Sequence, residues 1–203
     1  MNQAISTKDR VRIHQVEVLS DNWYVLRKTT YDFQGRDGVW RTLDRETYDR
    51  GNGATILLYS RAKQTVVLTR QFRFPAFVNE HDGMLIETCA GLLDKDDART
   101  CIHKETEEET GYRIREVRKV FEAFMSPGSV TERLHFFVGE YFDEDKQSEG
   151  GGLEHEGEEI EVLELPIDRA LAMIDSGEIC DGKTIMLLQY AKLHRLLEVA
   201  ADD

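Results

Sequence analysis

The sequence predicts a mixed α/β (α+β) fold in which helices cover a sheet. Three observations carry that prediction. Two runs of β-forming residues, 54–60 (ATILLYS) and 65–73 (TVVLTRQFR), flank a short polar turn. Residues 97–110 read as a helix, and Gly111 suits the position just past its end. A last helical pattern over 181–199 puts Ile185, Leu188, Tyr190, Leu193 and Leu197 near one face.

In chain order, residues 17–33 (EVLSDNWYVLRKTTYDF) and 39–48 (VWRTLDRETY) are rich in β-formers, with Gly35-Arg36-Asp37-Gly38 reading as a turn between them. They make an N-terminal β-subdomain, residues 1–50, joined through Asp49-Arg50-Gly51-Asn52-Gly53 to a second domain, residues 51–203. After the two strands above, a further strand is expected at 84–88 (MLIET), then the helix at 97–110, then strands near 117–125 and 134–142. Residues 143–159 (DEDKQSEGGGLEHEGEE) read by composition as a flexible acidic loop. A short strand at 160–165 leads into a helix with Pro166 at its first position and Gly177 at its far end.

Composition narrows the function classes. A chain of 203 residues with 40% hydrophobic residues has enough apolar surface for a core. Its formal net charge of -13 argues against a general nucleic-acid binder, which needs a basic face, and against docking on anionic lipid. A small phosphorylated substrate stays possible, because a bound divalent cation inverts the local field. Without a long apolar run or the apolar core of a signal peptide near the start, no membrane association is expected. Cys89, Cys101 and Cys180 are scattered, with no zinc-type spacing, so a reducing cytoplasm is the expected compartment.

The informative stretch is 90–112, AGLLDKDDARTCIHKETEEETGY. Glu105, Glu108 and Glu109 stand at i, i+3 and i+4, which puts three carboxylates on one helix face. Their repulsion costs an unassisted helix roughly 0.2–0.5 kcal/mol per pair. A divalent cation reverses the sign, and Mg2+ takes oxygen ligands in an octahedron. The competing reading of a bare E-x-x-E-E is a solvated acidic face. The flanking residues decide between the two. Lys104 to Tyr112 (KETEEETGY) resembles the second half of the Nudix box, R-E-U-x-E-E-x-G-U, where U is bulky and apolar, and Gly91 lies upstream at nearly the family's spacing. The departures are Lys104 for Arg, Thr106 for an aliphatic residue, Asp97 in place of the first Glu, and a spacer from Asp97 to Lys104 one residue short. They bear on the bracing of loop against helix and leave the metal face intact.

The resemblance runs further and points to the GDP-mannose hydrolase branch of the Nudix family, a close relation of ADP-ribose pyrophosphatases. It is carried by SDNWY (20–24), YDRGNGATILLY (48–59), RQFR (70–73), CAGLLD (89–94), MSPG (125–128), VTE (130–132), GGG (150–152), IEVLELP (160–166) and GEICDGKT (177–184). The implied fold is an α/β/α sandwich with a mixed sheet, and an N-terminal β-subdomain exchanged across a homodimer. The implied metal ligands are Glu105, Glu109, the Ala90 carbonyl and one acidic-loop carboxylate. Among Glu154, Glu156, Glu158, Glu159 and Glu161, the register of the following strand favours Glu158. Glu108 is implied as a further ligand or a water-positioning group. Glu158 or Glu132 would position or deprotonate the attacking water.

Substrate contacts are implied for Trp23, Asp44, Arg45, Glu46, Arg73, Ala90, Gly91, Leu92, Glu132 and Lys183. In this set Arg45 would reach the partner subunit's substrate and Trp23 would stack on the base. The implied cofactor is Mg2+, with Mn2+ as an alternative. The implied reaction is cleavage of GDP-mannose to GMP and mannose 1-phosphate. ADP-ribose cleavage, a Nudix module that binds nucleotide sugars without cutting them, and a plain structural acidic domain are the competing readings.

Overall fold

The computed structural model describes residues 6–153 and 157–198. The chain divides into two compact units, residues 1–51 with 124–132, and residues 52–123 with the rest of the chain.

The first unit is built on a three-stranded antiparallel sheet of β1 (Val11–Asp21), β2 (Val25–Gln34) and β3 (Trp40–Asp49), in that order. The β-rich run at 17–33 is therefore two strands, broken at 22–24 by the turn that carries Trp23. Strand β1 also begins earlier than its composition suggests. Its charged residues are tolerated because almost every position is exposed. Tyr48 and Thr131 tie the 124–132 segment to this unit, through Tyr48 N–H to the Ser129 carbonyl at 2.8 Å and Thr131 N–H to the Tyr48 carbonyl at 3.1 Å.

The second unit holds a seven-stranded mixed sheet. Its strands are β4 (Gly53–Ser60), β5 (Thr65–Phe72), β6 (Met84–Glu87), β7 (Cys89–Leu92), β8 (Arg118–Phe124), β9 (Arg133–Glu140) and β10 (Glu161–Pro166). The main path is β10-β5-β4-β9-β8, with β6 on β5 and β7 on β4. Strands β4 and β9 run parallel, and the β4 pairings with β5 and β7 are antiparallel.

Every residue of β4 is buried, as expected of a strand covered on both faces. On one face Ala54, Ile56 and Leu58 join Cys101 and Ile102 of helix α2 (Ala98–Thr110) in a single core cluster. The other face meets helix α4 (Gly182–Leu193). There the Thr55 and Thr88 hydroxyls lie 2.8 Å apart, and Thr88 N–H donates to Thr184 Oγ1 at 2.7 Å. Helix α3 (Ile167–Ser176) packs on β10 and β5. The result is the α/β/α sandwich with a mixed sheet. A four-residue helix, α1 (Phe74–Phe77), and the short strand β7 are elements the sequence pattern did not show.

Two helix expectations change. Pro166 closes β10 and caps α3 instead of opening it. Helix α4 stops at Leu193, and Arg195 at φ 51° turns the chain. The buried face of α4 is Thr184, Leu187, Leu188 and Ala191, so Leu193, expected on that face, is 80% exposed. Leu197 is buried, but from the turn beyond the helix.

Candidate active site

Helix α2 begins at Asp97, whose carboxylate accepts from Arg99 N–H at 2.9 Å and Thr100 N–H at 3.1 Å. That is an N-cap, and it occupies the side chain matched to the first Glu of the box. The brace between loop and helix is made one residue earlier, by Asp96 with Lys104 Nζ at 2.5 Å. Counted from Asp96, the spacer to Lys104 regains the residue it seemed to lack. Thr106 stands in the core fully buried, its hydroxyl satisfied by the Ile102 carbonyl one turn back at 2.5 Å.

Glu105 and Glu109 point from α2 toward β7. A Cβ at Gly91 would overlap the Glu105 carboxyl, so the missing side chain there is the space that Glu105 occupies. Gly91→Ala is therefore expected to displace that carboxylate, lowering turnover about tenfold or more while the melting temperature stays near wild type. Equal turnover in the two proteins would refute this role for Gly91. Glu109 is 2% exposed, and its Oε2 has no hydrogen-bond partner among the described residues. Burial above all, with Glu105 and Glu158 adding to it against the Cys89 hydrogen bond and the Arg73 charge, pushes its carboxyl up to about 8. Glu108 is exposed, one turn from Glu105.

The acidic loop proves ordered where it nears the helix. Gly151 N–H donates to the Glu109 carbonyl at 2.9 Å and Gly152 N–H to the Glu108 carbonyl at 3.2 Å, filling the open carbonyls of the α2 C-terminus. All three glycines of 150–152 have positive φ, and a Cβ at Gly150 would strike the Glu109 carbonyl. This docking brings Glu158 back toward the helix, where Leu153 N–H donates to its Oε2 at 3.0 Å. Glu154 and Glu156 lie outside the described residues, while Glu159 and Glu161 are exposed.

These features fit a divalent cation. A buried carboxylate with an orphaned oxygen stands within electrostatic reach of two more carboxylates. Among the described residues no three acidic, His or Cys side chains are already drawn into a closed metal cage.

Two of the expected cations converge in the same unit. Arg73, the N-cap of α1, donates from Nε to Glu87 Oε2 at 2.7 Å. Lys183 in the first turn of α4 bonds the other oxygen of Glu87, and also meets Asp181 at 3.1 Å. Glu87 was not singled out in the sequence; an acidic residue ending the apolar run MLIE, just ahead of Cys89-Ala90-Gly91, was the available signal. Ala90, Gly91 and Leu92 lie in β7, paired with Thr55, Ala54 and Gly53.

The other expected residues belong to the first unit. Trp23 is 82% exposed, with an edge contact to Tyr24, and so is not a packed core residue of the subdomain. Asp44 bonds the Thr30 hydroxyl at 2.6 Å, which lowers its pKa. Arg45 and Glu46 are exposed. Glu132 is half-buried beside Arg50, 3.5 Å away.

Comparison with known proteins defines the class. Residues 49–187 match the model of the NUDIX domain, and residues 10–48 match that of the GDP-mannose pyrophosphatase NudK N-terminal domain. The chain belongs to the Nudix family of pyrophosphohydrolases, whose members generally use divalent metal cations. Within the family it is similar to the GDP-mannose pyrophosphatase of Salmonella typhimurium, 59% identical over 90% of this chain and 95% of that protein. It is also 56% identical to the Klebsiella pneumoniae GDP-mannose pyrophosphatase over 95% of this chain and 98% of the relative. A solved ADP compounds hydrolase shares the fold, with TM-score 0.67, 14% identity, and coverage of 91% of this chain and 96% of its own.

Proposed function

We propose that the chain hydrolyses the pyrophosphate of a nucleoside diphosphate sugar, GDP-mannose foremost, giving GMP and mannose 1-phosphate with Mg2+ as the working ion. The observation that carries the chemistry is the buried Glu109 oxygen, without a hydrogen-bond partner among the described residues and within electrostatic reach of Glu105 and Glu158. The 56–59% identity to GDP-mannose pyrophosphatases supports the choice of sugar nucleotide.

Glu105, Glu109, Glu158 and the Ala90 carbonyl would hold the cation. The bound ion supplies charge neutralisation at the pyrophosphate and acidifies water. The protein's own groups supply the remainder. Arg73 and Lys183 grip the phosphates, Arg by two-point pairing. Glu158 orients the attacking water and takes its proton as the new P–O bond forms and the bridging oxygen departs; Glu132 is the second candidate for that task. Glu108 steadies the water shell, and Gly91 and Leu92 line the substrate. Trp23, Asp44, Arg45 and Glu46 serve the base and sugar end.

A homodimer is part of this proposal. Strand β1 is a sheet edge on which Ile13, Val16 and Val18 are 66%, 53% and 56% exposed, an apolar surface suited to a second copy. A monomeric mass by sedimentation at micromolar concentration would remove this part. A cytoplasmic site of action goes with the free thiols of Cys89, Cys101 and Cys180.

The deciding assay is product release from GDP-mannose with and without Mg2+, with Mn2+ and ADP-ribose as parallel arms. GMP and mannose 1-phosphate appearing only with metal, and faster than ADP-ribose is cut, is the expected result. Faster ADP-ribose cleavage would change the substrate, and no cleavage by folded protein would turn the reading to a binding module.

A further inference from the structure

We propose that Glu87 is a positioning residue that holds Arg73 and Lys183 as a preset pair for the pyrophosphate of the substrate. The inference rests on the reading of this site as a nucleotide-sugar pyrophosphate site.

Glu87 ends strand β6 with its side chain 4% exposed, and each of its two oxygens takes a different cation. The two cations come from elements far apart in sequence, Arg73 from the end of β5 and Lys183 from the start of α4. Glu87 engages Arg73 through Nε. Among the described residues the two terminal Nη groups have no partner, and the side chain is 40% exposed. Those are the groups with which a guanidinium grips a phosphate in two-point fashion. Arg73 also lies close enough to Glu109 for its charge to act there.

Long cationic side chains lose much rotamer freedom when they close on a ligand. An anchored pair has lost it already, so less is lost on binding. Fastening the helix is not a sufficient reason for Glu87. Helix α4 is already tied to this strand end by Thr88 N–H on Thr184 Oγ1, and its first turn is capped by Asp181. A buried carboxylate needs its partners, but two cations on one buried anion, both at the same site, exceed what a tether requires.

The test is steady-state kinetics with GDP-mannose at saturating Mg2+ on the full chain. Glu87→Gln keeps one acceptor oxygen and turns an amide NH2 toward the second cation. It is expected to raise KM about tenfold or more with kcat within about threefold of wild type. In a Lys183→Met background the same substitution should raise KM by a smaller factor than in the wild type, because only the share of the effect that passes through Arg73 is left. An unchanged KM in Glu87→Gln, or an equal rise in both backgrounds, overturns the proposal. If Glu87→Gln does not fold, Glu87→Asp, which keeps the charge but shortens the reach, decides by the same KM criterion. Failure of both to fold would make Glu87 a residue of the fold and overturn the proposal too. A wild type that cleaves no nucleotide sugar overturns the underlying reading and this inference with it. Wild-type turnover with an unaltered KM in Glu87→Gln overturns only the role of Glu87.

Discussion

Glu109→Gln is expected to remove metal-dependent turnover and, at the same time, to make the metal-free protein more stable at pH 8. The first effect follows from loss of a cation ligand. A metal that stabilises developing charge contributes several kcal/mol, so turnover should fall about a thousandfold or more. The second follows from linkage. Burial raises the Glu109 carboxyl from 4.5 to about 8. Below pH 4.5 the carboxyl is protonated in both folded and unfolded chains and costs nothing. As pH rises toward 8, the unfolded chain ionises while the folded one resists, so the folded state loses stability across that window and the penalty levels off above it. The loss is on the order of a few kcal/mol. A cation restores it by favouring the ionised form.

Scanning calorimetry of the metal-free protein should therefore show the melting temperature falling from pH 5 to 8, and Mg2+ should raise it more at pH 8 than at pH 5. Glu109→Gln should flatten both responses. A mutant that keeps the wild-type pH slope and the wild-type response to Mg2+ would remove Glu109 from the metal face.

Gly111→Ala should damage stability and turnover together. Gly111 holds φ 77° at the end of α2, where an alanine is strained by about 1–2 kcal/mol. A Cβ there would also run into the Ser148 backbone carbonyl, which cannot rotate away as a side chain can. The summed cost is about 2–4 kcal/mol. Gly111 also anchors the loop by accepting from Gln147 N–H at 2.7 Å. Pushing the loop off shifts the 150–152 glycines and, with them, Glu158. Turnover measured well below the melting temperature should then drop about tenfold or more, even in protein that is fully folded. Wild-type stability in the variant would show that the chain relaxes freely around this contact. Wild-type turnover in a destabilised variant would detach Glu158 from the chemistry.

The two cases differ in how far the sequence displayed them. Glycine after a helical run is a local signal, so Gly111 was legible as a helix terminator. Its second task, clearing space for Ser148, depends on a chain segment 37 residues further along and was not legible. Asp97 shows the same limit. Motif matching assigned it to the brace, whereas capping geometry claims its carboxylate and leaves Asp96 to meet Lys104. The acidic segment read as a flexible loop because composition reports solvation, not contacts. Its glycines instead bond the open carbonyls of α2. Likewise Leu193 looked apolar and in phase with the helix, but the packed face is set by which side meets β4, and that face runs through Leu187 and Ala191.

What the sequence by itself determined is whatever lies within a few residues of its cause: the strand runs, the carboxylate face of Glu105, Glu108 and Glu109 at helical spacing, and the box residues by which the family is known. Only the tertiary structure decided which distant groups come together. Lys183 and Glu87 meet across 96 residues of chain, and Glu158 reaches the helix through a glycine loop seated on its end. Helical periodicity is enforced by backbone bonds four residues apart, so a sequence displays it directly. A pairing between separate elements is set by how the sheet and its covering helices pack, and no local pattern encodes that.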